Sequence, residues 1–503
     1  MIPRRTFLQT AAGAGAFAAL GQFGFLARLP AVSAEEAALD PKAVRFHPDI
    51  EPLVRLLEDT PHERVLEEVA GRVRAGRSYR DILTALMLAG VRNIQPRPVG
   101  FKFHAVLVVN SAHLASLASP DSDRWLPIFW AIDQFKASQA SDVKEGDWTL
   151  AAVDESAVPP SQRARAAFTE AMDNWDEAAA DAAVVGLVRT AGADELFEIF
   201  ARYGARDFRD IGHKAIYVAN SFRTLEVIGW QHAEPVLRSL AYALLERGGA
   251  RENPAHADLP ADRPFRSNLE AIKRIPAGWL DGKPSADAAT HLLQTVRTDS
   301  STDTSELTVK LLNEGVAPRS IFDGLFAGAG ELLARAPGIL SLHAMTSTNA
   351  IHYAWHRVRS DETRRLLLLQ NAAFLPLFRG GREDRQVDLD TLEPLAPGES
   401  GDGAVDEIFA EISHDRLTAA RKVLGWLKDH PSPQPFADAA RRLIFLKGSN
   451  AHDYKFSSAV LEDYAHVSSP WRDRLLAASV FYLRGSGERD NGLVGRTRAA
   501  LGA

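Results

Sequence analysis

The chain has 503 residues, 46% of them hydrophobic and 24% charged, which is the composition of a folded body and excludes a disordered, collagenous or coiled-coil chain. It contains no cysteine, so disulfides, thiolate metal sites, iron–sulfur clusters, covalent c-type haem, a cysteine nucleophile and a lipid-modified cysteine are all excluded. Net charge is −7, and the charges of the first 34 residues (Arg4, Arg5, Arg28) are all positive, so the remainder is more acidic still; this argues against nucleic-acid binding, which needs a basic face.

Residues 1–34 read as a targeting segment. Pro3-Arg4-Arg5-Thr6-Phe7-Leu8-Gln9 places Phe-Leu one spacer after two arginines. An Ala- and Gly-rich stretch runs from Ala11 to Ala27, and Val32-Ser33-Ala34 offers small residues at a cleavage site. The segment resembles a twin-arginine signal peptide, departing from it at Pro3 and Gln9. That resemblance implies export of an already folded protein, with the twin-arginine translocase as partner, to the periplasm or the exterior. The stretch is short and weak for a stable span. No later segment reaches about 18 uninterrupted apolar residues, so no permanent membrane span is expected.

The body reads as all-α, with apolar residues at helical spacing through Arg64–Arg74, Asp81–Val91, Glu195–Tyr203, Pro235–Leu245, Glu306–Leu312, Arg364–Leu377 and Arg472–Leu483. The chain also resembles itself. One histidine opens an apolar helix at His104, His213, His343 and His452, and the first two are as far apart as the last two. A helix pair precedes each histidine, and another helix begins about twenty residues after it. His104-Ala-x4-Asn110-x2-His113 matches His343-Ala-x4-Asn349-x2-His352. The expected architecture is four repeated multi-helix units, HEAT-like or toroidal, in two pseudo-symmetric halves. These cover residues 35–250 and 288–503, joined by a linker over 251–287. Arg297–Ser305 and Arg379–Gly403 read as polar loops, the second as a mobile lid or a disordered insertion.

Only the first histidine of each unit recurs four times. His104 and His113, nine residues apart, fall on opposite faces of one helix and cannot share an ion. If the units surround an axis, His104, His213, His343 and His452 meet at one centre, with His113 and His352 as second candidates. Neutral imidazoles without thiolate suit iron, copper or zinc, or an axial role on non-covalent haem. They need acceptors on their other nitrogens, and Asp210, Asp453, Asp463 and Glu462 are near in sequence. Two other roles stay open: a metal-free catalytic pocket, or core histidines bonded to main-chain carbonyls. Asp207, Arg206 and Arg209 read as a salt-bridge cluster, and Ser300–Thr304 as a polar loop. No nucleotide-binding motif occurs.

A helical chain of His-opened helices, each followed by a Leu-rich helix, resembles the questin-oxidase-like proteins over roughly His104 to Leu483. The resemblance implies a cofactor-poor oxygenase of Baeyer–Villiger type acting on polycyclic aromatic ketones, with the four histidines as pocket residues. The expected function is an exported, soluble oxidoreductase with a His-lined central pocket for a small apolar organic molecule. The alternative is a non-enzymatic periplasmic helical-repeat scaffold.

Overall fold

Runs of apolar residues three and four apart, punctuated by Pro and Gly, leave this chain little choice but helices. The computed structural model describes residues 46–501 apart from 120, 122–123, 249–252, 380–385 and 431, so the leader lies outside the described residues. Among the described residues there are 22 α-helices and no strand, only an isolated bridge between Lys283 and Val316. In chain order they are α1 (Glu51–Asp59), α2 (Val65–Arg74), α3 (Tyr79–Asn93), α4 (His104–Leu117), α5 (Leu126–Glu145), α6 (Ser161–Asn174), α7 (Glu177–Val188), α8 (Ala193–Gly204), α9 (His213–Ile228), α10 (Ala233–Leu244) and α11 (Arg263–Ala271). Then follow α12 (Ala286–Thr298), α13 (Ser301–Asn313), α14 (Pro318–Arg335), α15 (Ile339–Arg357), α16 (Asp361–Phe374), α17 (Asp402–Ile412), α18 (Arg416–Asp429), α19 (Gln434–Lys447), α20 (Ala451–Asp463), α21 (Trp471–Ser479) and α22 (Leu493–Leu501).

Four helices form the middle. α4 packs on α9, α9 on α15, α15 on α20, and α20 back on α4. They are buried nearly all round, as a helix enclosed by others must be: α4 buries Val106, Leu107, Val108 and Val109, whereas α15 and α20 also bury polar residues such as Thr346, Asn349, Asp453 and Lys455. Their direction follows from side-chain pairs. His104 meets His213, and six residues further along α4 Asn110 meets Asn220. His343 meets His213, and Asn349 meets Arg223. His104 packs against His452, and Ser458 bonds the Ser111 carbonyl. All four ring helices therefore run the same way, with their N-terminal ends at one pole. Each also packs against the helix before it and the helix after it. The last helix, α22, returns to α2, where Arg74 donates to the Ala500 carbonyl.

Local sequence sets the helix starts at that pole. Asn450 caps α20, its side chain accepting the His452 N–H while Asp453 bonds back to the Asn450 N–H. Gly212 leads into α9 with φ +86°, and a Cβ there would sit 2.7 Å from the Ser347 Cβ on α15. Only glycine both adopts that conformation and allows the two helices so close.

Several expectations need correcting. His343 does not open its helix: α15 begins at Ile339, after Gly338, and His343 lies one turn inside. Ser300–Thr304 is not a loop. Ser300 and Asp303 form a capping box that starts α13, leaving only a short break after α12. The stretch expected as a linker contains α11, whose Asn268 bonds Gln370 at 2.8 Å while Gln370 bonds the Ala205 carbonyl at 2.6 Å, so it packs into the helical body. The described part of Arg379–Gly403 is not a loose lid. Val387 and Leu389 are buried, and Arg335 and Arg474 hold their carbonyls.

Candidate metal centre

The common pole of the four ring helices brings His104, His213, His343 and His452 together. One nitrogen from each lies within 4.8 Å of the other three. Nε2 of His213 is 2.9 Å from Nε2 of His104 and 2.9 Å from Nε2 of His343. In cyclic order the neighbouring ring centroids are 5.0, 4.3, 5.2 and 4.3 Å apart, and His104 lies 6.4 Å across from His343. The imidazoles thus stand at the corners of a quadrilateral, in the order of their helices.

The second nitrogen of three rings is tied to an oxygen. His213 Nδ1 lies 2.7 Å from the Asp210 carbonyl, and His343 Nδ1 2.6 Å from the Ile339 carbonyl. A carbonyl only accepts, so in both rings Nδ1 carries the hydrogen and Nε2 presents a lone pair. His452 Nδ1 lies 3.0 Å from Asn450 Oδ1, which also accepts the His452 N–H and so must be the amide oxygen. His452 therefore also points a bare Nε2 inward, and that nitrogen is buried with no hydrogen-bond partner among the described residues. Nε2 of His213 and of His343 consequently face each other, lone pair to lone pair, at 2.9 Å. A proton between them would relieve this, but burial, helped by the Lys455 ammonium and the neighbouring rings, holds both imidazoles well below their ordinary pKa. Burial does the same to His104, and takes His452 down to about 3. The site is a set of neutral nitrogen donors, three of them with the outer nitrogen fixed by an oxygen acceptor, the arrangement that orients imidazoles around a cation.

No family model, curated protein or solved structure matches this chain. Its chemistry must be read from its own residues.

Over the site lies a cavity of about 430 Å³ touching His104, His213 and His452. Its apolar walls include Pro98, Val99, Phe101, Ile211 and Ile339. Phe101, 78% exposed, and Ile339, 54% exposed, mark the mouth. Phe101 has φ +46° and Ile211 φ +54°, a left-handed conformation that bulky side chains avoid, so strain is concentrated on the cavity's walls. Gly100 has φ +125°, and a Cβ there would come 3.1 Å from the His213 ring. The chain thus needs glycine where it crosses the imidazole.

The other sequence-stated candidates lie elsewhere. His113 is not at the centre: its Nδ1 lies 3.0 Å from the Tyr79 hydroxyl. His352 is not there either. It pairs with His356, Nε2 to Nε2 at 3.1 Å, beside Phe322 and Phe326. Of the expected acidic acceptors, Asp210 serves through its main-chain carbonyl. Asp453 caps α20 and binds Arg484, while Glu462 and Asp463 bond Asn349 further down the ring. The Arg206–Asp207–Arg209 stretch is an ion-pair cluster, with Lys214 on Asp207 at 2.8 Å and Arg209 on Asp262 at 2.6 Å. Lys455 escaped the sequence reading, and so did the state of the Asp210 carboxyl. Lys455, one turn after His452, has a buried ammonium with no hydrogen-bond partner among the described residues, and burial takes it down to about 7. Asp210 lines the cavity, neither of its buried carboxyl oxygens makes a full hydrogen bond, and burial pushes it up to about 7. The signal for Lys455 was a charge at a position where the other three ring helices carry Leu107, Ile216 and Thr346.

Proposed function

We propose that His104, His213, His343 and His452 hold one transition-metal ion, and that the protein is an exported oxidoreductase acting on a small apolar organic molecule in the cavity above it. The observation that carries the metal reading is the pair of opposed lone pairs on His213 and His343. An ion between them converts a repulsion into bonds, and the carbonyl tethers keep the rings aimed at it.

The donor set narrows the ion. At a metal–nitrogen bond of about 2.0–2.1 Å, adjacent donors of a square set lie about 2.9 Å apart and those of a tetrahedron about 3.3 Å. The two 2.9 Å edges and the quadrilateral of rings support a tetragonal ion such as copper(II) over tetrahedral zinc. Haem is disfavoured. A porphyrin brings its own four equatorial nitrogens and leaves its iron two axial places, whereas here four imidazoles crowd one point.

When bound, the ion supplies Lewis-acid or one-electron chemistry. The chain's residues supply aim, a water-poor setting and an apolar bed. Export rests on the leader, and a folded, metal-loaded protein suits the twin-arginine route. The recurrence of a His-bearing ring helix between two flanking helices supports the reading of four repeated units in two halves.

The test is metal analysis with optical and EPR spectra on protein recovered through its native export route. One copper or iron per chain is expected. Protein that stays metal-free after incubation with Cu(II), Fe(II) and Zn(II), and keeps its fold with alanine at all four histidines, would overturn the reading and favour the scaffold.

A further inference from the structure

One turn below the four imidazoles the ring helices close on a second layer. Three residues after each histidine stand Leu107, Ile216, Thr346 and Lys455, all of them buried. Lys455 is the exception in kind: it is 2% exposed, and its ammonium makes no hydrogen bond among the described residues. An unpaired buried charge is costly, the more so beneath a site read as holding a cation. Residues three apart share a helix face, and helical side chains lean toward the N-terminus. The long stem of Lys455 therefore runs along α20 toward His452 and the imidazole layer. After burial, its charge does most to depress the pKa of His104, His213 and His452, and it also acts on His343, so the ammonium stands within reach of all four rings. The cavity lies on the other side of that layer, walled by residues that precede the ring helices, such as Val99, Phe101 and Ile211.

We infer that the Lys455 amine is a fifth nitrogen ligand of the ion, bound from inside the ring of helices, so that the coordination position left open faces the cavity. This deepens the four-histidine reading and rests on it. A tetragonal ion held by four imidazoles has two axial places. Lys455 reaches the closed one, and a small molecule lying against Phe101 and Ile339 reaches the other. As Nζ gives its lone pair to the ion, the ammonium loses one proton to solvent, and the unpaired buried charge becomes a bond. Leu107, Ile216 and Thr346 offer no such donor, so one ring helix of the four supplies it.

The test is pulsed EPR on the full chain loaded with Cu(II) and carrying nitrogen-15 only in its lysine side chains. An isotropic coupling to nitrogen-15 is expected, because an amine that is merely nearby gives only a through-space, dipolar one. Lys455→Leu, which puts at this place the residue α4 carries there, gives a second readout. Its Cu(II) affinity, by competition with a chromophoric chelator, is expected to fall at least about 10-fold, and its visible band to move to shorter wavelength as the axial donor is lost. A lysine that only repelled the ion predicts the opposite sign, so tighter or unchanged binding in Lys455→Leu, or labelled protein without the isotropic coupling, would overturn the inference. The metal-free variant loses an unpaired buried charge and is expected to resist urea at least as well as the wild type, which separates a lost ligand from a lost fold. Should it unfold, the labelled wild-type protein still decides. Protein that takes up no Cu(II) would sink the four-histidine reading and this inference together; loaded protein without the coupling would sink Lys455 alone.

Discussion

Two histidine clusters share helix α15, and they differ in what holds the outer nitrogens. At its N-terminal end His343 is tied through Nδ1 to the Ile339 carbonyl and joins rings tied in the same way. At its C-terminal end His352 and His356 stand 3.1 Å apart through Nε2, with the His466 ring centroid 5.3 Å from that of His352. There, among the described residues, no carbonyl fixes the tautomer, so one neutral ring donates to the other and the pair satisfies itself. In the first cluster His104 alone is free to donate, to His213, which leaves the tethered His343 and His452 with bare inward nitrogens; the second is already a hydrogen bond. The number of rings does not make a metal site. The tethers do.

The largest effect expected from this contrast is at His213, which makes both short Nε2 contacts. His213→Ala should lower metal affinity by more than about 100-fold, read by competition with a chromophoric chelator. His352→Ala should leave it within about 3-fold. A metal content that follows His352 instead would reverse the assignment of the two clusters.

A smaller effect tests the tether itself. Asn450→Ala removes the acceptor on His452 Nδ1 without touching a ligand, and should weaken metal binding about 10- to 100-fold. It also removes the helix cap, at about 1 kcal/mol of stability. Asn450→Asp keeps both the acceptor and the cap, and should restore binding to near the wild-type value. If both variants bind metal normally, the outer bond does not orient the ring.

Much of this was legible in the chain and some was not, for separable reasons. The helices and the recurrence of His104, His213, His343 and His452 follow from apolar periodicity and equal spacing, which one sequence displays. The parallel course of the ring helices does not, because it depends on how outer helices route the chain between them. The tethers of His213 and His343 are main-chain oxygens of Asp210 and Ile339, and a carbonyl carries no residue identity to read. The capping box of Ser300 and Asp303 was readable as a Ser three residues before an acid. The polar run around it suggested a loop instead. Asp210 and Lys455 stand out only through what they fail to touch, which appears once neighbours distant in sequence are in place.

Acid gives the smallest separation and sharpens the comparison from the other side. Burial, aided by His356, takes His352 down to about 3, against about 6.5 for an ordinary histidine. Its folded pKa is depressed, so the native state binds fewer protons than the unfolded chain. The stability this contributes is present above pH 6.5 and is lost as pH falls from 6.5 towards 3. At pH 5 the loss from His352 alone is about 2 kcal/mol. Urea unfolding of metal-free protein should therefore weaken between pH 7 and pH 5. His352→Gln, which has nothing to protonate there, should weaken by about 2 kcal/mol less. The four-histidine centre remains in that variant and keeps its own share of the acid loss, since burial also takes His452 down to about 3. Equal losses in the two proteins would mean that His352 titrates in the fold as it does in the unfolded chain. The His352–His356 pair would then not be the closed, neutral hydrogen bond that sets it apart from the four-histidine centre.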